Sequence, residues 1–427
     1  MNQYPAYKES DIEWLGEVPE HWSLRKLKYA VTLTKEDAEE RHEDFQIALE
    51  NIESWTGQFI ETDSDYRGSG DAFEKGDILF NKLRPYLAKV YHAKRAGTPV
   101  GELLVLRPET DVLSRFLFYR LLSAEFIDVV DGSTYGAKMP RASWDFIGDL
   151  SIPIPPLPEQ RTIAAYLDRK TEQIDTLIAK KQRLIDLLQE QRTAIINRAV
   201  TQGLDPNVPM QDSGIEWLGK VPAHWEILAF KYCADIATGQ VDPQKYEEMT
   251  LIAPNHIESG TGKLRSLETV EEQGATSGKY LFDRADVLYS KIRPELRKVC
   301  MAPCDGLCSA DMYPITPRDG MLPEFLMHVL LSESFSQFAV LASERVAMPK
   351  VNRDALNDFI VVRPPVDEQR QIIEHLAGDL SKIDMVVERE RELIQKLQEL
   401  RTSLISEIVT GKIDVRDELP ERAEVAA

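Results

Sequence analysis

The side chains of this 427-residue chain best suited to chemistry are basic, and they come twice. Lys82, Arg84 and Lys89, with Tyr86 among them, lie in "LFNKLRPYLAKV" (79–90). Lys291, Arg293 and Lys298, with Arg297 added, lie in "LYSKIRPELRKV" (288–299). Farther along each half, Lys138 and Arg141 belong to "GAKMPR" (136–141), and Lys350 and Arg353 lie in and just beyond "RVAMPK" (345–350). Guanidinium and ammonium groups on loops and strand ends can neutralise phosphates, and Arg can read guanine O6 and N7 from the major groove. The same residues fit a structural reading, in which K-x-R-P is a turn with Arg84 or Arg293 in an internal ion pair. Both readings stay open at this level.

Catalytic chemistry finds no such support. The chain has no GxxxxGK[ST] phosphate loop, no HExxH and no GxSxG, and "GSG" (68–70) is not followed by the third glycine of a dinucleotide fingerprint. "IPPLPE" has the prolines of an amino-methyltransferase loop but neither its leading Asp, Asn or Ser nor its aromatic end. No catalytic residue is expected. Cys300, Cys304 and Cys308 form a CxxxCxxxC run, yet the equivalent "YHAKRAGTPV" of the first half has no cysteine and Cys233 lies in another element. Reduced thiols are expected rather than a metal site. His21 and His224, beside Trp22 and Trp225, are read as structural.

The elements that must position the basic residues are themselves duplicated. "DIEWLGEVPEHW" (11–22) returns as "GIEWLGKVPAHW" (214–225), "PPLPEQR" (155–161) as "PPVDEQR" (364–370), and "VTQG" (200–203) as "VTGK" (409–412). The offset grows from 203 to 209 across the most divergent stretch, about 30–75 against 233–284. A period this long exceeds that of solenoid repeats and marks two whole modules in tandem.

Each module starts as a mixed α/β globule. Short β-prone runs such as "GDILFN" and "FIVVRPP" alternate with amphipathic stretches such as 113–130 and 322–341. A proline-rich stop then leads into a helix of about 40 residues, with Glu159 or Glu368 suited to its first turn. On the first helix Leu167, Ile174, Leu188 and Ile195 share one heptad position, with Leu177, Ile178, Leu184 and Ile185 beside them. On the second, Leu376, Ile383, Leu397 and Leu404 match, flanked by Val386, Val387, Leu393, Ile394 and Leu400. So narrow a stripe calls for a partner helix, and the other copy is the simplest one. An antiparallel pair would bring Lys181 opposite its repeat counterpart Glu390 and give the molecule an approximate two-fold axis.

The domain organisation read from the chain is therefore a globule over 1–154, a helix over 155–203, a second globule over 204–363, a second helix over 364–412 and an acidic tail over 413–427. The fold class is α/β mixed, two globules separated by two long antiparallel coiled-coil helices.

The net charge of −20 opposes broad electrostatic binding to nucleic acid. By region, 11–150 carries 17 basic and 26 acidic groups, 155–203 carries 8 and 6, 204–363 carries 16 and 23, and 364–412 carries 7 and 10. A DNA-binding reading must thus rest on local clusters. No apolar run approaches the roughly 18 residues of a membrane span, and "MNQYPAYKESD" lacks the apolar core of a signal peptide, so a cytoplasmic location without membrane contact is expected.

Together, "IEWLG-VP-HW", "K-RPYL-K" and "PP-PEQR-I" resemble the DNA-specificity (S) subunit of type I restriction–modification enzymes, over essentially the whole chain. The resemblance implies that each globule recognises one half of a split double-stranded DNA target. It implies that the helix pair is a spacer and a platform for two methyltransferase subunits, with restriction subunits also recruited. S-adenosylmethionine, ATP and Mg would then belong to those partners and no cofactor to this chain. It implies no residue-by-residue base code, so the twelve residues of the first paragraph are only candidates for DNA contact. The helix stripes and their proline-rich starts are candidates for partner docking. A coiled-coil protein scaffold without sequence-specific DNA binding is the alternative.

Overall fold

The β-prone runs become, in each half, a four-stranded antiparallel sheet whose two faces are both covered. The computed structural model describes residues 2–35, 45–62, 71–136, 138–343 and 349–418. In the first half the strand order is Val31–Leu33, Leu103–Pro108, Ile78–Asn81, Val90–His92; in the second it is Ala234–Ile236, Met312–Pro317, Val287–Ser290, Val299–Met301. Side chains alternate between faces along a strand. Ile78, Phe80, Val90, Leu104 and Leu106 accordingly join the main core under the helices Ser114–Leu122 and Ala124–Gly132, while Leu79, Tyr91, Leu103 and Val105 join a smaller cluster with Ile47, Ile52 and Phe73. Burial on both faces explains why Ile78, Leu79 and Phe80 of "GDILFN" are apolar in succession.

The covers of the smaller cluster differ between halves. The first half uses a short parallel pair, Gln46–Ile47 with Thr98–Pro99. The second builds a further sheet in the order Glu268–Thr269, Thr250–Ile252, Gly306–Cys308, Tyr280–Phe282. Cys300 and Cys308 face the interior between the two sheets of that half. Burial pushes the Cys300 thiol up to about 12 and the Cys308 thiol higher still, which keeps both protonated. Among the described residues no cluster of His, Cys, Asp and Glu has the arrangement of a metal site.

The proline-rich stops end short ribbons: Ser151–Ile154 pairs with Ser23–Lys26, and Ile360–Arg363 with Glu226–Ala229. The long helices follow at once, Leu157–Gln202 and Val366–Val409, 46 and 44 residues. At about 1.5 Å per residue each is roughly 65–70 Å long.

Two compact units emerge, one of residues 1–180 with 392–427 and one of residues 181–391. Each comprises one globule, the start of the long helix that leaves it and the end of the long helix that returns to it. In the first unit the returning segment closes on the N-terminus, where Asn2 bridges Asp414 and Val415 is buried. The rest of the acidic tail, 419–427, lies outside the described residues, as do "GSG" (68–70), Ala137 of "GAKMPR" and residues 345–348 of "RVAMPK". Among the described residues no single helix is long and apolar enough to cross a membrane.

Candidate nucleic-acid interface

In both units the K-x-R-P element is a turn held in a left-handed backbone. Arg84 has φ +52° and Ala88 φ +45°; Arg293 and Arg297 have φ +47° and +45°. L-residues adopt this region at a penalty of roughly 1–2 kcal/mol, so something must hold it. A second loop does. Arg84 N–H donates to the Pro140 carbonyl at 2.8 Å and Ala142 N–H to the Lys82 carbonyl at 2.9 Å; Arg293 donates to Pro349 at 3.2 Å and Val351 to Lys291 at 2.9 Å. Loops some 55 residues apart are thereby fused, and Lys82, Arg84, Lys138 and Arg141 in the first unit, and Lys291, Arg293 and Lys350 in the second, are brought to one surface.

The side chains on that surface fall into two groups. Arg84, Lys138, Arg293 and Lys350 are exposed, with Tyr86 at 49%, Tyr135 at 65% and Met139 at 50% beside the first pair. Lys82 and Arg141 share one acid: Glu102 accepts Lys82 Nζ at 3.2 Å and Arg141 at 2.7 Å. At the repeat position of Glu102 the second unit has Asp311, and there Lys291 lies 4.9 Å over the Tyr313 ring. Arg84 and Arg293, for which an internal ion pair was the structural reading, have no salt bridge to a described residue and project outward; the Arg84 guanidinium reaches the Lys138 carbonyl at 3.5 Å.

The remaining candidates face the fold. Lys89 Nζ donates to the Leu49 carbonyl at 2.6 Å and Lys298 Nζ to the Pro254 carbonyl at 2.6 Å, each fastening a 3-10 turn on the sheet. Desolvation holds the Lys298 ammonium below its usual pKa, and the nearby Arg265 and Arg293 add to the shift. Arg297 bonds Thr193 Oγ1 at 3.1 Å on the long helix and Glu333 at 3.2 Å. Arg353 donates to the Ala237 carbonyl at 2.6 Å and lies over Tyr313 and Tyr280.

Each long helix is anchored to its globule by the opening motif. His21 Nε2 and Trp22 Nε1 meet the Glu159 carboxylate at 2.8 and 3.0 Å, and His224 and Trp225 meet Glu368 at 2.8 and 3.1 Å. The next residue completes the clamp. Gln160 accepts from Leu113 N–H and donates to the Asp111 and Pro155 carbonyls; Gln369 does the same with Leu322, Gly320 and Pro364. The returning helix ends on the same tryptophan. A Cβ at Gly411 would lie 3.3 Å from Trp22 and 2.3 Å from Pro19, and one at Gly203 3.2 Å from Trp225.

The helices pair antiparallel within each unit. Leu167 and Ile174 pack with Leu404 and Leu397 in the first; Ile195, Leu376 and Leu380 share the core of the second, where Ile383 is also buried. The spacing of four and three runs through Leu167, Thr171, Ile174, Ile178, Lys181, Ile185, Leu188, Arg192 and Ile195 on the first helix. The second matches with Leu376, Leu380, Ile383, Val387, Glu390, Ile394, Leu397, Arg401 and Leu404. Of the flanking residues, Ile178, Ile185 and Val387 therefore belong to the seam, whereas Leu177, Leu184, Val386 and Leu400 are exposed. Lys181 Nζ meets Glu390 Oε2 at 2.7 Å.

The family model described as Type I restriction modification DNA specificity domain matches residues 34–186. The chain is 27% identical over 425 residues to the EcoDI specificity subunit of Escherichia coli, covering 93% of this chain and 90% of that one. It is 23% identical to the MjaVIII specificity subunit of Methanocaldococcus jannaschii over 71% of each, and 22% identical to the EcoKI specificity subunit of Escherichia coli K12 over 72% of this chain and 68% of that one. A solved chain from a study of complex assembly in the type I R-M system shares the fold with a TM-score of 0.69 at 17% identity, over 93% of this chain and 99% of that one.

Proposed function

We propose that this chain, which belongs to the DNA-specificity family of type I restriction–modification systems, reads a split double-stranded DNA target, one half-site per globule. The observation that carries the reading is that each unit fuses the same two loops into one exposed surface bearing Arg84 and Lys138, or Arg293 and Lys350. Lys82 with Arg141, and Lys291, stand beside them as further contacts. Lys89, Arg297, Lys298 and Arg353 shape the surface from behind. An acidic chain can bind DNA in this way because a few placed cations neutralise phosphates locally, while the acidic remainder faces solvent or other proteins.

The chain acts as a non-catalytic recognition subunit in the cytoplasm. Two methyltransferase subunits dock on it and restriction subunits join the assembly; S-adenosylmethionine, ATP and Mg serve those partners. Leu177, Leu184, Val386 and Leu400, apolar and exposed on the long helices, supply docking surface. The two globules differ most in sequence over 30–75 against 233–284, which suits two different half-sites.

The test is co-expression with the neighbouring methyltransferase subunit in a methylation-free host, followed by mapping of modified adenines. A bipartite motif with an unspecified spacer is expected. A stable complex that modifies DNA without any motif would overturn the reading and leave a scaffold.

A further inference from the structure

The seams of the two long helices are nearly interchangeable. Ile174, Ile178, Ile185, Leu188 and Ile195 on the first repeat as Ile383, Val387, Ile394, Leu397 and Leu404 on the second. Charges in and beside the seam repeat too, Arg192 as Arg401 and Asp175 as Asp384. Accordingly Arg401 Nε bonds Asp175 at 2.9 Å in one unit, and Arg192 bonds Asp384 in the other. Thr171 repeats as Leu380, a change of polarity without charge, and at one position the charge itself reverses. Lys181 repeats as Glu390, and these two face each other with side chains only 19% and 14% exposed.

Residues that occupy the same repeat position and face each other in an antiparallel pair mark the level at which an identical helix would meet itself. Two copies of the first helix, from two molecules, would match their apolar seams and form both Asp175–Arg192 pairs. Two copies of the second would match equally well through Asp384 and Arg401. The first arrangement, however, would set Lys181 against Lys181 and the second Glu390 against Glu390. Like charges forced together in a half-buried seam repel and stay desolvated, whereas polar residues at single seam positions are known to set partner and register.

We propose that Lys181 and Glu390 select the partner of each long helix, admitting the other helix of the pair and excluding the same helix of a second copy of this chain. The selection ensures that one helix pair always carries two different globules. It has a time at which to act. Residue 203 is made well before residue 366, and at ribosomal rates the interval is about 10–30 s, during which the first helix can meet only its own kind on other molecules. The inference concerns helix choice alone and stands or falls apart from DNA recognition.

The test uses two full-length chains with different tags, unfolded and refolded together, with the mixed-tag fraction read by sequential pull-down and sedimentation. Wild type should refold almost entirely without mixing. Lys181→Leu with Glu390→Leu keeps the seam apolar and removes the discrimination, and should raise the mixed-tag fraction roughly tenfold, the ratio given by a difference of ~1.4 kcal/mol. Lys181→Glu with Glu390→Lys restores opposite charges in reversed order and should return to the wild-type value. A Leu/Leu variant that refolds with no more mixing than wild type would overturn the proposal. So would a reversed pair that mixes as freely as Leu/Leu.

Discussion

The Trp22 indole N–H donates to Glu159 Oε1 at 3.0 Å, with the carboxylate buried in the first turn of the long helix and its other oxygen held by His21. This one acid joins the opening motif of the globule to the helix that leaves it. Glu159→Ala would leave a buried indole N–H without an acceptor, a loss of about 2–3 kcal/mol. Glu368→Ala removes the same clamp from the other unit, but Glu368 is more exposed and the loss should be smaller. Urea unfolding followed by tryptophan fluorescence checks the order; equal losses would mean that burial of the carboxylate does not set its contribution.

Arg84 combines a strained backbone with an exposed guanidinium, so its two roles can be separated. Arg84→Gly relieves the φ of +52° and should leave stability unchanged or raise it by up to about 1 kcal/mol. It should also weaken binding of the cognate DNA by the assembled complex by roughly 1–3 kcal/mol and relax one target position. Arg84→Gly with unaltered methylation specificity would remove Arg84 from the interface.

Lysines of the same surface should respond differently to truncation. Lys138 is exposed, and Lys138→Ala should reduce the salt slope of DNA binding by about one while leaving folding untouched. Lys89 holds the Leu49 carbonyl, and Lys89→Met should lower stability by about 1–3 kcal/mol with the salt slope unchanged. Binding titrations at several salt concentrations decide it; a reduced slope for Lys89→Met would assign that ammonium to phosphate instead.

The architecture was legible where the sequence repeats itself. "PPLPEQR" and "PPVDEQR" mark both helix starts, because two prolines in succession offer no N–H for further strand pairing and an acid suits a helix first turn. The second row of the seam was not legible, because it includes Thr171, Arg192 and Arg401. Apolar periodicity alone weighs Leu177 and Ile178 equally, and only the packed helices distinguish them. Glu102 escaped notice because the second half has Asp311 in its place and no local pattern links it to Arg141 39 residues later. Gln160 and Gln369 could have been found: both follow the first-turn acid, and an amide there can satisfy loop carbonyls and an N–H together. Lys89 and Lys298 repeat as faithfully as Arg84 and Arg293, which is why repetition could not tell a residue that builds the surface from one that uses it.

His328 provides a pH-dependent test confined to the second unit. It occupies the repeat position of Tyr119, whose hydroxyl bonds Asp168 and Thr171 in the first unit. In the second unit those positions are Ala377 and Leu380, and His328 Nδ1 is buried without a partner among the described residues. Burial first, and then the Arg192 charge, hold its pKa down to about 4. The unfolded chain, with an ordinary histidine near 6.5, binds the proton more readily, so acid favours unfolding. The stabilisation from this group is complete above pH 6.5 and is lost as pH falls towards 4, a loss of up to about 3 kcal/mol. His328→Leu should match or exceed wild type at pH 7, since it removes an unsatisfied buried nitrogen, and should lose less stability between pH 6.5 and 4 by that same amount. Denaturant unfolding at half-unit pH steps measures both slopes. Identical slopes for the two proteins would show that His328 takes up its proton without unfolding the unit.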